Sequence, residues 1–426
     1  MSHQRRIAFV TLGCKLNFSE SSTFARQFST AGYRIVRPVD RSDWYVVNTC
    51  SVTEHADKKC RNIIRKLHKI SPDARIAVVG CYAQLKPDEI LSIEGVDIVL
   101  GAARKGDLFE VVSSYEAERG QLSGCTAIET VENIFPAYSS GERTRSFLKV
   151  QDGCDYRCTY CTVPLARGAS RNLPIASLVA QAREIAATGI CEIVLTGVNI
   201  GDFGRTTGES FLDLLKALNE VEGIARYRIS SIEPNLLTRE IIGWMAAEPT
   251  KFLPHFHIPL QSGCDRILKA MHRRYTTEMF AEKIALVREQ LEAPEERGRK
   301  VFFGIDVIVG FPGETEEDFE ETYRLLERVK PAFLHIFPYS RRAGTPAAVR
   351  DDQVQESVKT ERVARLEKLS DRLHADFCLA NKGREAEVLF ESANKGGMMF
   401  GYTDNYIRIE REYDPAQIGR IVKVTV

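Results

Sequence analysis

Residues 152–161 read DGCDYRCTYC and set Cys154, Cys158 and Cys161 at C-x3-C-x2-C spacing, directly after the strand candidate Ser146–Val150. Three thiolates crowded onto one short loop hold three irons of a 4Fe–4S cluster and leave the fourth iron open to a small molecule. A zinc site needs a fourth protein ligand at matching spacing, and His255 and His257 are remote in sequence. The loop therefore reads as a cluster site opening a repeated unit.

Downstream, a strand-then-helix pattern recurs about six times. The strand candidates are Ser146–Val150, Glu192–Thr196, Tyr227–Ser231, His255–Leu260, Phe302–Val309 and Phe333–Phe337, with helical stretches such as Glu317–Val329 between them. Such alternation predicts a parallel sheet covered by helices. Six units cannot close an eight-stranded barrel. They predict an open, partial (β/α)6 barrel of the TIM type, with its chemistry at the C-terminal strand ends. A charged helix follows over Gln353–Leu379.

Upstream lies a second α/β pattern, a Rossmann-like parallel unit over residues 1–118. Its strand candidates are Ile7–Leu12, Trp44–Asn48, Ile76–Val79 and Val96–Leu100, with helices over Glu20–Ala31 and Glu54–Ile70. Three of these strands run directly into cysteine: IAFVTLGC, YVVNTC and IAVVGC end at Cys14, Cys50 and Cys81. The C-terminal ends of parallel strands share one edge, where ligands bind, so the three cysteines are expected to converge there. Three thiolates again leave one iron of a cluster without a protein ligand. Gly13 and Gly80 permit the tight turns this requires.

Residues 119–140 lose the periodicity and read as a linker. The barrel unit spans 141–375. From 376 onward the pattern becomes short alternating strands, Glu387–Phe390, Tyr406–Glu410 and Ile421–Val426, with a turn at Gly396-Gly397: a small all-β module.

Bulk properties agree with a multidomain globular chain. Its 426 residues suffice for two or three domains, and 44% hydrophobic with 27% charged residues is ordinary. Lys+Arg and Asp+Glu both number 58, so any nucleic-acid surface must be a local patch. No run approaches about 18 apolar residues, so no membrane partner is expected, and a cytoplasmic location is the default. In a reducing compartment the eleven cysteines are metal ligands or inert core residues. Cys60, Cys125, Cys191 and Cys378 lack partner spacing and read as non-ligands.

The loop with Tyr160 before its last cysteine resembles the radical S-adenosylmethionine superfamily. TLGCKLNFSES, NTCSVTEHADKK and VVGCYAQ, followed by that loop and the β tail, resemble the methylthiotransferase family over essentially the whole chain. The resemblance implies two 4Fe–4S clusters, on Cys154/Cys158/Cys161 and on Cys14/Cys50/Cys81. It implies two S-adenosylmethionine molecules per turnover, one methylating a sulfur on the second cluster and one yielding a 5′-deoxyadenosyl radical. It also implies a TRAM-like RNA-binding tail, a tRNA partner, an external electron donor and a sulfur donor of unknown identity. A purine C–H has no leaving group, which is why a radical and a sulfur held nearby suit the reaction.

On this resemblance, further strand ends become cofactor candidates. LTGVNIGDFG offers Thr196, Gly197 and Asn199; SSIEP offers Ser231 and Glu233, the latter for ribose hydroxyls; IPLQSGCDR offers Gln261; IDVIVGFPGETEEDF offers Gly310 and Phe311 beside an adenine. Each has the plain alternative of an ordinary strand-to-helix turn, and Glu314-Thr315 reads as capping. Arg167 and Arg171 in PLARGASR are candidates for a cofactor carboxylate or an RNA phosphate. HRRY (272–275) and SRRAGTP (340–346) add basic groups for phosphates, and Phe400, Tyr402 and Tyr406 could stack bases or fill a small core.

TLGCKLN, SSIEP and HIPLQSGCDR look closest to the branch that methylthiolates C2 of N6-threonylcarbamoyladenosine at tRNA position 37. The alternatives are the isopentenyladenosine branch, the branch acting on a ribosomal-protein aspartate, and a non-catalytic iron–sulfur RNA-binding protein. The protein-modifying branch usually carries a proline after the first cysteine, where Lys15 stands here. Phe18-Ser19 and Cys264 depart from the usual pattern.

Overall fold

The computed structural model describes residues 4–115, 120–141, 143–247, 249–292 and 298–426. The domain boundary expected at 118–119 lies outside the described residues.

In the first unit six parallel strands lie in the order Arg34–Val36, Arg6–Thr11, Trp44–Thr49, Arg75–Gly80, Val96–Leu100 and Leu122–Gly124. The central strand Trp44–Thr49 is buried throughout, so alternate residues serve opposite faces. Tyr45 and Val47 join Ile64 and Leu67 of helix Glu54–Ile70 in one core. Trp44 and Val46 join Phe24 and Phe28 of helix Lys15–Thr30 in the other. Helix Glu54–Ile70 starts where Thr53 Oγ1 accepts the Ala56 N–H, and Glu54 and Asp57 favour its N-terminal end.

Two strands depart from the sequence expectation. Arg34–Val36 is an edge strand with Ile35 exposed. Leu122–Gly124 falls within the expected linker yet pairs with Val96–Leu100. Both are three residues long, too short to carry a periodic signal, and exist because a neighbouring strand offers its edge.

The middle unit is the open barrel. Ser146–Lys149, Glu192–Thr196 and Arg226–Ile229 form one parallel sheet; His255–Gln261, Phe302–Val309 and Phe333–Pro338 form another. A parallel bridge from Ser231 to His257 joins them, so six strands follow one another in chain order. Helix Glu316–Val329 opens with a capping box between Thr315 and Asp318, which is the role expected for Thr315. Helix Glu356–Ala380 closes the unit.

The tail is a curled antiparallel sheet, ordered Arg408–Glu412, Met398–Thr403, Glu385–Phe390 and Ile421–Thr425, around Val388, Phe390 and Met399. Met398–Thr403 was not expected, and Tyr406 sits in a turn (φ 68°) instead of a strand. The tail is locked onto the barrel by a buried ion cluster. Glu192 pairs with Arg226 at 2.6 Å and Arg228 at 2.9 Å, and Arg228 donates to the carbonyls of Thr403 (2.8 Å) and Asp404 (2.9 Å). No described helix is long and apolar enough to cross a membrane.

Candidate metal and cofactor centres

The first-unit sheet reverses its strand order beside Arg6–Thr11 and Trp44–Thr49, and loops after such strands form a crevice. Cys14 and Cys50 follow these two strands, and Cys81 follows the next. Gly13 has φ +96°, and a Cβ there would lie 2.8 Å from the Cys50 sulfur. Gly80 has φ +101°, and a Cβ there would strike the Thr49 carbonyl at 2.4 Å. The two turns are thus reserved for glycine and bring the cysteines together. Burial and the neighbouring Cys81 push the Cys50 thiol up to about 12. Burial also raises Cys81, against the pull of Arg167. Cys14 is the N-cap residue of helix Lys15–Thr30 and Cys81 begins Cys81–Leu85, so two of the three cysteines stand at helix N-termini.

Behind this trio lies a buried charge cluster. Glu20 contacts Lys105 (2.6 Å), Lys149 (2.7 Å) and Arg167 (3.4 Å). Asp152 contacts Lys149 (2.7 Å), Arg167 (2.9 Å), Lys105 (3.1 Å) and Arg171 (3.7 Å). Burial alone would raise both carboxyls, but the surrounding cations hold both well below the usual carboxylate range. Four cations against two anions leave an excess of positive charge beside the trio, and that suits an anionic group bound there. Arg167 and Arg171 therefore differ from the expectation of a phosphate or cofactor-carboxylate contact. Both are buried: Arg171 donates to the backbone carbonyls of Asn133 and Arg167, and Arg167 also donates to Asn17. Their carboxylate partners are Glu20, far off in sequence, and Asp152, which faces Arg171 across the cysteine loop.

The second trio sits on its own loop. Tyr156 N–H donates to Cys154 Sγ at 3.4 Å, Val163 N–H to Cys161 Sγ at 3.4 Å, and Arg273 Nη1–H to Cys158 Sγ at 3.1 Å. Burial and the mutual repulsion of the three groups push Cys154 and Cys161 up to about 12. Such thiols become thiolates when a metal cation binds, and N–H···S bonds then tune the metal centre. The loop is anchored by Thr159, whose N–H and Oγ1 donate to Met271 and Ala270, and Tyr160 packs edge-on to Phe311. The trio lines a cavity of about 720 Å³ with Leu165, Gly168 and Pro346.

The expected cofactor residues fall into two groups. Asn199 is buried, its N–H is held by Gln151 Oε1 at 2.9 Å, and neither its Oδ1 nor its Nδ2 has a hydrogen-bond partner. Unpaired buried amide atoms fit a polar ligand at this strand end. A Cβ on Gly197 would lie 3.0 Å from the same Gln151 Oε1, so the turn is closely packed. Thr196 ends its strand, buried, and Ser231 is half-buried at the bridge to His257. Gln261 ends its strand at φ 66°, beside a register shift. Glu233 is ion-paired with Arg273; burial raises its carboxyl and Arg273 opposes that.

The other group is occupied within the protein. The Gly310 N–H donates to Glu314, whose carboxyl burial pushes up to about 7, and Phe311 is fully buried against Tyr160 and Tyr339. Of the expected phosphate-facing groups, Arg273 is buried at Cys158, while Arg342 is buried and donates to Ser51 and Asp57 of the first unit, both at 2.8 Å. Cys264 is buried and caps Asp265–Ala270 beside Asp318.

Gln151 carries much of the site's architecture and lies in no motif; Glu20 and Asp152 lie inside the quoted cysteine stretches without an expected role, and Arg273 was expected to meet phosphate. No motif foresaw the grouping of His257, Asp306 and His335, whose ligating atoms lie within 4.8 Å of one another. His257 hydrogen-bonds Asp306 at 2.6 Å and stacks on His335 at 4.7 Å between ring centroids. Burial and the adjacent His257 lower His335.

Three family models match in succession: "Uncharacterized protein family UPF0004" at 6–101, "Radical SAM superfamily" at 148–326 and "TRAM domain" at 380–426. A Bacillus subtilis protein named threonylcarbamoyladenosine tRNA methylthiotransferase MtaB is 41% identical, over 99% of this chain and 93% of its own length. The Aquifex aeolicus protein of the same name is 36% identical over 99% and 100%. A Thermobifida fusca tRNA-2-methylthio-N(6)-dimethylallyladenosine synthase is 37% identical over 91% and 78%. Among solved structures, the radical S-adenosylmethionine methyltransferase TsrM from Kitasatospora setae shares the fold (TM-score 0.58, 16% identity, 81% of this chain and 77% of that one). With two cysteine trios on the units that these models match, and relatives matched along nearly their full length, the chain belongs to the methylthiotransferase family of radical S-adenosylmethionine enzymes.

Proposed function

We propose that this protein attaches a methylthio group to C2 of N6-threonylcarbamoyladenosine beside the anticodon of tRNA. Cys154, Cys158 and Cys161 would hold one 4Fe–4S cluster, and Cys14, Cys50 and Cys81 a second. When bound, the clusters and S-adenosylmethionine supply the electron, the hydrogen-atom abstraction, the methyl group and the sulfur. The chain's own residues position and shield. Asn199 offers a donor and an acceptor at the strand end, held there by Gln151. Glu233 and Arg273 form a charged pair against Cys158. The excess of cations at Lys105, Lys149, Arg167 and Arg171 supports negative charge at Cys81.

The observation that carries this reading is the convergence of Cys14, Cys50 and Cys81 at the switch point of one parallel sheet. Cys14, Cys50 and Cys81 would hold a cluster whose sulfur, when bound, would be supplied by proximity to a base at the barrel mouth. The names of the Bacillus and Aquifex relatives favour the threonylcarbamoyl substrate, and the tail's match to the TRAM model is consistent with an RNA partner. The test is expression in cells lacking the modification, followed by nucleoside digestion of total tRNA and mass spectrometry. A methylthio increment on threonylcarbamoyladenosine, lost in Cys14→Ala and Cys154→Ala, is the expected result. An increment on isopentenyladenosine alone would overturn the substrate.

A further inference from the structure

A cavity of about 330 Å³ lies where all three units meet. The first unit contributes Cys14, Lys15 and Phe18, the barrel contributes Arg145, Arg228 and His255, and the tail contributes Tyr406. Among the described residues its lining holds four cations, Lys15, Arg143, Arg145 and Arg228, and no carboxylate. One cysteine of the dispersed trio thus opens into a cavity that is basic and partly aromatic.

The four cations are not equivalent. Arg228 is paired with Glu192 at 2.9 Å, and Arg145 with Glu391 at 2.9 Å. Arg143 lies over the Phe18 ring at 4.5 Å. Lys15 makes no hydrogen bond or ion pair with any described residue, although it faces Tyr406, Arg145, Arg228 and Asp306. Asp306 is itself engaged by His257. Lys15 is also exposed within the cavity, so an incoming group can reach it. Helix Lys15–Thr30 begins at this residue, which adds the positive end of a helix to the same place. An unmatched ammonium among paired guanidiniums, next to aromatic rings, suits a flat base that carries its own anion.

We propose that this cavity receives the acidic side chain of the modified base and that Lys15 binds its carboxylate. Resting on the reading that the substrate is threonylcarbamoyladenosine, the inference makes Lys15 the residue that selects a carboxylate-bearing adenosine over one with a hydrocarbon substituent. The threonylcarbamoyl group ends in a free carboxylate; an isopentenyl group has none. Tyr406 is held at the cavity by Arg228, whose guanidinium carbon is 4.9 Å from its ring centre, and by stacking on Tyr402 at 4.6 Å. The tail thereby closes the cavity wall.

The test uses reconstituted enzyme and anticodon stem-loop RNAs carrying threonylcarbamoyladenosine or its carboxamide, which differ only in that charge. Binding is followed by fluorescence anisotropy, and methylthiolation by mass spectrometry. The natural protein is expected to prefer the acid about ten- to a hundredfold, the range of one charge-assisted hydrogen bond. Lys15→Met removes that preference, and Lys15→Arg restores part of it. Equal losses on both RNAs would mean that Lys15 meets a backbone phosphate, and would overturn the proposal. So would a natural protein that does not distinguish acid from carboxamide, whatever the variants do. A natural protein active only on an isopentenyladenosine stem-loop would overturn the function itself, whereas full activity of Lys15→Met on the acid RNA would overturn this inference alone.

Discussion

Cys154, Cys158 and Cys161 occupy eight consecutive residues, whereas Cys14, Cys50 and Cys81 are gathered from three strands of one sheet. The compact trio is organised by its own loop: two of its sulfurs accept amide N–H bonds from residues two positions on. The dispersed trio has such a bond at Cys50, from the Val52 amide, but its members are brought together by distant parts of the chain. It depends on register in the sheet, on two glycines with positive φ, and on a charge cluster spanning two units. A set of three thiols is therefore assembled once by local spacing and once by topology. A fault in the fold should harm the second long before the first.

The largest expected effect separates the trios by chemistry. Cys154→Ala should abolish reductive cleavage of S-adenosylmethionine, on the order of 10⁴-fold. Cys14→Ala should keep cleavage while losing methylthiolation, read by deoxyadenosine release beside nucleoside mass spectrometry. Equal loss of cleavage in both would make the trios one functional site.

Next comes Arg167→Met, which strips a buried carboxylate cluster of a partner. A cost of about 3–5 kcal/mol is expected, seen in the denaturant midpoint. The same cluster sets an acid limit. Glu20 and Asp152 have folded-state values depressed below their unfolded ones, through the cations that outweigh burial. Their contribution is thus complete above about pH 4 and is lost as pH falls further towards their folded values. Acid unfolding of Arg167→Met should begin at higher pH than that of the natural protein. An unchanged acid midpoint would remove the cluster from the account.

Gly13→Ala tests the dispersed trio by geometry alone. It places a methyl 2.8 Å from the Cys50 sulfur at a φ of +96°, a strain of about 1–3 kcal/mol. Iron bound per chain should fall towards half, with the compact trio still filled. Thr315→Ala removes a helix cap whose partner is Asp318 and should cost about 1 kcal/mol while leaving iron content untouched.

The compact trio and the six barrel strands were legible because local spacing and apolar runs carry them. The dispersed trio was legible only through a rule about where parallel strands end. What escaped had no local signature. Leu122–Gly124 is a strand only because Val96–Leu100 has an open edge. Met398–Thr403 is interrupted by Gly401, which is there because a Cβ would lie 2.5 Å from the Leu389 carbonyl of the adjacent strand. Arg167 and Arg171 resemble phosphate-binding groups in a short window, yet the acids that claim them are Glu20, at a distant position, and Asp152, across the cysteine loop. Buried partners separated by long stretches of chain cannot be paired from sequence patterns alone.

The cluster around Glu192 has a consequence for how the molecule comes apart. Arg145, Arg226 and Arg228 give it guanidiniums on the barrel side, and the tail gives Glu391 and the carbonyls of Glu387, Tyr402, Thr403 and Asp404. Cutting the chain before residue 385 would leave those guanidiniums sharing Glu192, with their tail acceptors gone, at a newly wetted face. The tail is thus no appendage that melts on its own, and a heating scan in a calorimeter should register barrel and tail as a single endotherm.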